Sequence, residues 1–250
     1  MKAANATHKE PGMTKLYSDL ANVYYEMYQS LFDYEKEFAL YDGLLQKYGC
    51  RSVLEVGCGN GKLAPLLLKA GYDYSGLDLY DEMLEIARRD NPGVLFMQGD
   101  MRDLRFDQEF DAIIIPGRSF CYMTTNDDVM NSLRSIHHAL KKDGILVFDN
   151  FRAEAIFADF SGEMEHQALY QTRKYIRTST KTPNLKTGWT WNWQAIYRIE
   201  EEGKETKVVR DESVLRAFTE DELRLFLSLN HFTVLEILED NTAFTTVARK

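Results

Sequence analysis

The 250-residue chain predicts an α/β fold. A doubly wound, mostly parallel sheet carries helices on both faces and an antiparallel β insertion after its fifth strand. Three observations lead there. Near-continuous apolar runs at 52–56, 73–78, 94–98, 110–115 and 144–149 alternate with helical patterns, as strands buried on both faces do. The first run ends in alternating glycines and passes at once into a helix. Residues 151–217 abandon that rhythm for period-two alternation rich in Tyr, Trp, Thr and Arg, which reads as antiparallel strands.

Taken in order, residues 1–13 read as a disordered start with a turn at Pro11-Gly12. From Leu16, apolar residues recur at Leu20, Val23-Tyr24, Met27-Tyr28 and Leu31, a helical period. Tyr17, Tyr24, Tyr25, Tyr28 and Tyr34 are either amphipathic core side chains or part of a mobile helix whose ring faces attract a cation. A second helix runs from about Glu35 to Tyr48, with Gly49 past its end. A helix over 61–70 has Pro65 in its first turn. Another over 81–90 stops at Asn91-Pro92-Gly93. The fourth strand stops at Pro116-Gly117. Thr125 and Asp128 form a capping box ahead of a helix over 126–141, whose apolar stripe is Val129, Leu133, Ile136 and Leu140. His137 and His138 are ordinary residues of that helix.

In the insertion, strands are expected at 167–179, 189–200 and 207–217, with turns at Asn184 to Gly188 and at Glu201-Glu202-Gly203. The acidic Glu200-Glu201-Glu202 run is a solvated tip. Thr219 and Glu222 frame another capping box, and a helix to about Leu229 leads into strands 232–238 and 242–248. The organisation is therefore an N-terminal lid region (1–34), a ligand-binding domain (35–150 with 218–250), and the β insertion (151–217).

A net charge of −9 and a pI near 5.2 argue against a nucleic-acid groove or an anionic membrane surface. Cys50, Cys58 and Cys121 are an odd set without metal-ligand spacing. They read as small buried hydrophobes of a reducing compartment. Residues 1–15 lack the apolar core of a secretory signal, and no apolar run approaches the ~20 residues of a membrane span. The expectation is a cytoplasmic protein without a metal, nucleic-acid or membrane partner.

The ligand is argued from Val53-Leu54-Glu55-Val56-Gly57-Cys58-Gly59-Asn60-Gly61. Such a loop, with a helix N-terminus behind it, cradles the polar part of a nucleotide-like molecule. A dinucleotide fingerprint needs a third glycine where Lys62 stands, and no Walker Gly-Lys-Ser/Thr follows. Glu55, two residues before the first glycine, repels pyrophosphate and favours an ammonium or hydroxyls. S-adenosylmethionine offers an α-amino group, a ribose diol and a sulfonium, and no phosphate. The alternative is a glycine turn with a packing role only.

Asp78 ends the second strand about 20 residues after the loop, where an acid accepts from ribose hydroxyls. Its other reading is a helix cap, a job Asp81 suits better. Met83 is placed against the adenine face. Asp100 ends the third strand and suits the adenine amino group, with an adjacent backbone N–H for the ring nitrogen. Three acids at consecutive strand ends make a coherent nucleoside site.

These residues resemble motif I and the flanking motifs of class I S-adenosylmethionine-dependent methyltransferases, over about residues 50–150. The resemblance implies a Rossmann-like sheet of seven strands in the order 3-2-1-4-5-7-6 with the last antiparallel. The implied cofactor set is Tyr17, Glu55, Gly57, Cys58, Gly59, Asp78, Leu79, Met83, Asp100, Met101 and Pro116. Gly99-Asp100-Met101-Arg102-Asp103, Arg118-Ser119-Phe120-Cys121-Tyr122 and Ala21-Asn22-Val23-Tyr24 are similar to the small-molecule branch, which includes nucleotide-sugar amine N-methyltransferases and resembles glycine N-methyltransferase. In that branch the tyrosine matching Tyr24 and the group matching Tyr122 sit beside the acceptor. Tyr25 stands where an acid is common, and Arg118 where a small residue is common.

The fourth strand is followed by Pro116-Gly117-Arg118-Ser119. That differs from the Asp/Asn-Pro-Pro-Tyr of N6-adenine and amide methylases and from the Pro-Cys of C5-cytosine enzymes. Tyr24 and Tyr122 are the candidate positioning hydroxyls. Arg118 either pairs with an acceptor carboxylate or phosphate or makes a surface ion pair. Trp189, Trp191 and Trp193 share one strand face and either wall the acceptor pocket or pack in the core. His166 is an alternative base. The expected activity is methyl transfer to a small-molecule acceptor, amine before hydroxyl, by a monomer or homodimer, with the insertion in the acceptor pocket or a dimer contact. The rivals are an inactive cofactor-binding scaffold, a tRNA or protein methylase, and a dehydrogenase.

Overall fold

Residues 14–250 are described in this computed structural model, so the expected disordered start and the Pro11-Gly12 turn lie outside the described residues. At the centre runs β1 (Ser52–Val56), buried from its second residue onward. β2 (Asp73–Asp78) and β3 (Phe96–Gln98) lie on one side of it, β4 (Phe110–Ile115) and β5 (Leu140–Phe151) on the other, all parallel. β11 (Ala243–Arg249) pairs antiparallel with β5, and β10 (Thr233–Glu239) antiparallel with β11. The seven strands thus read β10-β11-β5-β4-β1-β2-β3. With the last two counted as sixth and seventh, that is the expected order.

Alternation along each strand feeds two cores. Leu54, Val56, Ile113 and Ile115 face α5 (Asn126–Ala139) and α7 (Glu220–Leu229), through Val129, Leu133, Leu223 and Leu227. Val53, Ala112 and Ile114 face α2 (Tyr34–Lys47), α3 (Ala64–Lys69) and α4 (Asp81–Asp90), through Leu45, Leu67 and Leu84. Each such fully buried aliphatic side chain contributes about 1.5–3 kcal/mol, and one slip of register would turn both sets outward.

Helix ends follow local chemistry. The Thr125/Asp128 box has both its bonds. At Thr219 the hydroxyl accepts from the Glu222 N–H, but the Glu222 carboxylate turns to Arg216, so that box is half made. Asp81 is not the cap expected: it is the first residue of α4 and pairs with Arg88.

The insertion has four antiparallel strands in one sheet. They are β6 (Met164–Tyr170), β7 (Arg173–Pro183), β8 (Trp189–Glu201) and β9 (Lys207–Ala217). The single strand expected at 167–179 is broken at Gln171, whose φ of 52° starts a tight turn. A short α6 (Ala153–Phe157) leads into the insertion and was not expected. β5 begins at Leu140, so the preceding helix ends two residues before the expected 141. α1 (Ala21–Tyr28) is shorter than its periodicity suggests, because residues from Lys15 form a turn closed by the Leu20 N–H on the Lys15 carbonyl at 3.0 Å. Buried Val23 and Met27 set α1 against Tyr175 and Tyr197 of the insertion. Thr14 and the Lys15 N–H bond to Asp211 of β9, each at 2.6 Å. Among the described residues, no helix is long and apolar enough to cross a membrane.

Candidate functional site

A cavity of about 610 Å³ opens at the carboxyl ends of β1, β2 and β4, where ligands of open α/β sheets bind. Its floor is the glycine loop. The Gly57 and Cys58 N–H groups are held on the Leu77 carbonyl at 2.7 and 3.0 Å, tying the loop to β2. Gly57 has φ +76°, and a Cβ there would lie 2.6 Å from Ser119 Oγ. Only glycine satisfies both conditions.

Asp78 ends β2 and is 8% exposed. Its Oδ2 accepts from the Gly59 N–H at 2.8 Å and its Oδ1 from the Tyr80 N–H at 2.9 Å. Burial raises its pKa, and these N–H groups work against the rise. Each oxygen keeps a lone pair, so the acid that braces the loop can also accept from a ligand diol. Glu55 is the penultimate residue of β1 and takes the Tyr74 hydroxyl on Oε2 at 2.6 Å. Burial pushes its pKa to about 8, against the pull of Tyr74, with Glu37 and Asp78 adding to the rise.

Asp100 also reaches the cavity, but not as a free acceptor. Arg102 grips its Oδ2 at 2.7 Å, its own N–H takes Oδ1 at 2.8 Å, and its other arm holds Asp128 at 3.0 Å. That pairing neutralises the acid and leaves it less able to take an adenine amino group. Cys58, Gly59, Leu79, Met83, Met101 and Pro116 complete the expected set on the cavity wall. Burial raises the Cys58 thiol well above its usual pKa, which keeps it a neutral wall group.

The same cavity has a wall of tyrosines, Tyr17, Tyr24 and Tyr122. Tyr17 meets Tyr24 edge-on at 5.2 Å between centroids and Tyr122 at 5.8 Å. The Tyr122 hydroxyl donates to the Tyr17 hydroxyl at 3.1 Å. Burial raises the pKa of all three phenols well above the ordinary value. They are permanent hydroxyls, suited to orienting a substrate rather than deprotonating it.

Arg118 is not brought to this wall. A left-handed φ of 62° turns its N–H to Asp149 Oδ1 at 2.9 Å, and its guanidinium lies 4.9 Å from the Phe151 ring centroid. His166 and the three tryptophans also lie off the wall. Trp191 is core, edge-on to Phe151 at 5.2 Å. The insertion instead reaches the cavity through its 184–190 turn, with Asn184, Lys186, Thr187 and Thr190, and through Val214. The Asn-x-Lys-Thr-Gly turn signal was visible, but nothing local says where a hairpin tip will land.

Glu37 and Tyr34 of α2 also line the cavity. Sequence periodicity left Glu37 on a helix face without a task, while Tyr34 was one of the tyrosines read as core or as ring faces for a cation. Glu37 has a pKa of about 7, raised by burial and by Asp149, while Arg118 and the Gly117 N–H lower it.

This donor set suits S-adenosylmethionine. Acids face the cavity where an ammonium and a diol need acceptors. Asn60, 4% exposed and on the same wall, has its Nδ2 without a partner and is free to donate to a ligand carboxylate. Lys62 is turned over the Tyr25 ring at 4.6 Å.

Comparison with known proteins agrees with this geometry. Residues 53–144 match the model of a methyltransferase domain. The chain is 33% identical over 195 residues to the putative methyltransferase YqeM of Bacillus subtilis, covering 74% of this chain and 78% of that protein. It is 32% identical over 108 residues to the dTDP-3-amino-3,4,6-trideoxy-alpha-D-glucopyranose N,N-dimethyltransferase of Streptomyces venezuelae, covering 43% of this chain and 46% of that one. Glycine N-methyltransferase of Oryctolagus cuniculus is 27% identical over 165 residues, covering 58% of this chain and 56% of that one. The chain thus spans about half the length of these two N-methyltransferases. The fold is shared with the crystal structure of Streptomyces venezuelae DesVI, at a TM-score of 0.78 and 23% identity over 92% of this chain and 97% of that one. The motif, the sheet order and the YqeM likeness together place the chain in the S-adenosylmethionine-dependent methyltransferase family.

Proposed function

We propose that the protein methylates an amine of a small molecule, which enters between the tyrosine wall and the 184–190 turn. The observation that carries this reading is the Tyr17–Tyr24–Tyr122 cluster lining one cavity with the acids. When bound, S-adenosylmethionine supplies an electrophilic methyl group, and the reaction needs in-line placement of a neutral nucleophile more than a dedicated base. The hydroxyls of Tyr24 and Tyr122 orient the acceptor. The aromatic faces attract the donor's positive charge. Burial in this apolar wall favours the neutral form of an amine over its ammonium. The sugar and glycine N-methyltransferase names among the relatives support an amine over a hydroxyl. The Tyr24 and Tyr122 positions support a small acceptor.

The test is methyl transfer to a panel of amino sugars, amino acids and simple amines, beside matched alcohols, with Asp78→Ala as the donor-site control. N-methylated product from wild type and none from the control is expected. Product from the alcohols alone contradicts the amine assignment. Donor binding without product from any member points to a scaffold that has lost catalysis.

A further inference from the structure

Asp211 is an acid where the insertion sheet calls for an apolar side chain. Period two along β9 sets Val209, Asp211, Ser213 and Leu215 on one face. Asp211 is 1% exposed and pairs with Ala195 of β8, as Val209 pairs with Tyr197. Directly paired residues share a face, so this carboxylate sits among the buried residues that receive α1. Such a position is costly unless the oxygens are hydrogen-bonded.

The bonds come from far away in sequence. Oδ2 accepts from the Thr14 hydroxyl at 2.6 Å, and Oδ1 accepts from the Lys15 N–H at 2.6 Å. Thr14 Oγ1 accepts in turn from the Leu16 N–H at 3.1 Å. The Lys15 carbonyl then takes the N–H groups of Ser18 and Leu20 at 3.1 and 3.0 Å. Asp211 thus caps, from another strand, the turn that carries Tyr17. That ring lies 5.7 Å from Tyr80, whose N–H is held by Asp78, and its hydroxyl accepts from Tyr122. Tyr17 therefore stands between the acid of β2 and the rest of the tyrosine wall.

We propose that Asp211 is a positioning residue for methyl transfer, acting through Thr14 and Lys15 to hold Tyr17 in the cavity wall. This rests on the reading of the cavity as the donor site. Asp211 lies behind Thr14, which itself lines the cavity. The other polar ties between this segment and the insertion hold the far end of α1. Arg173 Nη1 donates to Glu26 at 2.9 Å, and Arg177 donates to the Tyr28 hydroxyl. They leave the turn ahead of the helix to Asp211, to the packing of Leu16 and Leu20, and to Tyr122. Charge-assisted bonds are the stronger kind, which suits a clamp near a chain end.

Calorimetric titration with S-adenosylhomocysteine tests this through a double-mutant cycle of Asp211→Ala and Tyr17→Ala. Each single variant is expected to bind about tenfold more weakly than wild type. The double variant is also expected to lose about tenfold, because the effect of Asp211 passes through Tyr17. Asp211→Asn keeps an oxygen for the Lys15 N–H and should recover part of the affinity. A cooperative melt serves as the folding control. Should Asp211→Ala fail it, Thr14→Val takes its place in the cycle, with Thr14→Ser restoring wild-type affinity. A multiplicative loss of about a hundredfold in the double variant overturns the proposal, since the two residues then act separately. So does a folded Asp211→Ala protein with unchanged affinity. If wild type itself gives no heat, the donor reading falls first and the proposal with it.

Discussion

The hydroxyls of Tyr122 and Tyr17 meet at 3.1 Å, with Tyr122 donating, and so join the loop after β4 to the segment that precedes α1. This bond leaves the Tyr17 proton free to point at a substrate. Losing one neutral hydrogen bond costs about 0.5–1.5 kcal/mol. Tyr122→Phe is therefore expected to lower kcat up to about tenfold while leaving the affinity for S-adenosylhomocysteine near wild type. Steady-state kinetics beside calorimetry checks this. Because burial holds both phenols well above the usual range, the pH–rate profile should show no tyrosine ionisation below about 10.

Asp78 does two jobs, bracing Gly59 and Tyr80 and facing the cavity. Asp78→Ala leaves two backbone N–H groups short of partners, at about 1–3 kcal/mol each. A thermal melt should show clear destabilisation, and S-adenosylhomocysteine affinity should fall about a hundredfold. Asp78→Asn keeps an acceptor and should fall between. A variant melting like wild type would contradict the bracing role.

Glu55, buried near the end of β1, should cost stability when the site is free of ligand. The folded pKa of Glu55, about 8, lies above its unfolded value of about 4.3. Its contribution is thus fully present below pH ~4.3 and is lost as pH rises through ~8. Glu55→Gln should raise the melting temperature at pH 8 by about 5 °C and leave it nearly unchanged at pH 4. An equal effect at both pH values would contradict this linkage.

Arg216 is 1% exposed and holds the Glu222 Oε1 at 2.6 Å and the Asn126 Oδ1 at 2.9 Å, directly beneath Gly188 of the cavity turn. Removing one partner of a buried pair costs about 3–5 kcal/mol. Arg216→Met should lower stability by roughly 3 kcal/mol. It should also raise KM for the acceptor more than it weakens the donor, because the 184–190 turn loses its support. An unchanged acceptor KM would show that the turn does not depend on this pair.

Much of the strand-end wall of the cavity was legible beforehand because its signals are local. Gly57, Asp78 and Asp100 sit at fixed distances along strands whose burial the apolar runs announce. The tyrosine wall depends on long-range placement. Tyr17 and Tyr122 were flagged separately, but only the packing of α1 on the insertion brings them together. Arg118 was read from residue type as an acceptor partner or a surface ion pair, and no sequence signal announces the left-handed backbone and the Phe151 ring that hold it. Glu37 was unreadable, since an acid on an amphipathic helix looks solvated until the neighbouring elements half-bury it. The break at Gln171 was missed for a related reason: a non-glycine residue at positive φ leaves little compositional trace.

The most direct measurement is titration of the purified protein with S-adenosylhomocysteine and, in parallel, with NAD. A saturable heat at one site per chain with S-adenosylhomocysteine, and none with NAD, is the expected result. Tight binding of NAD with no heat from S-adenosylhomocysteine would contradict the assignment of this acid-lined cavity to a sulfonium nucleoside.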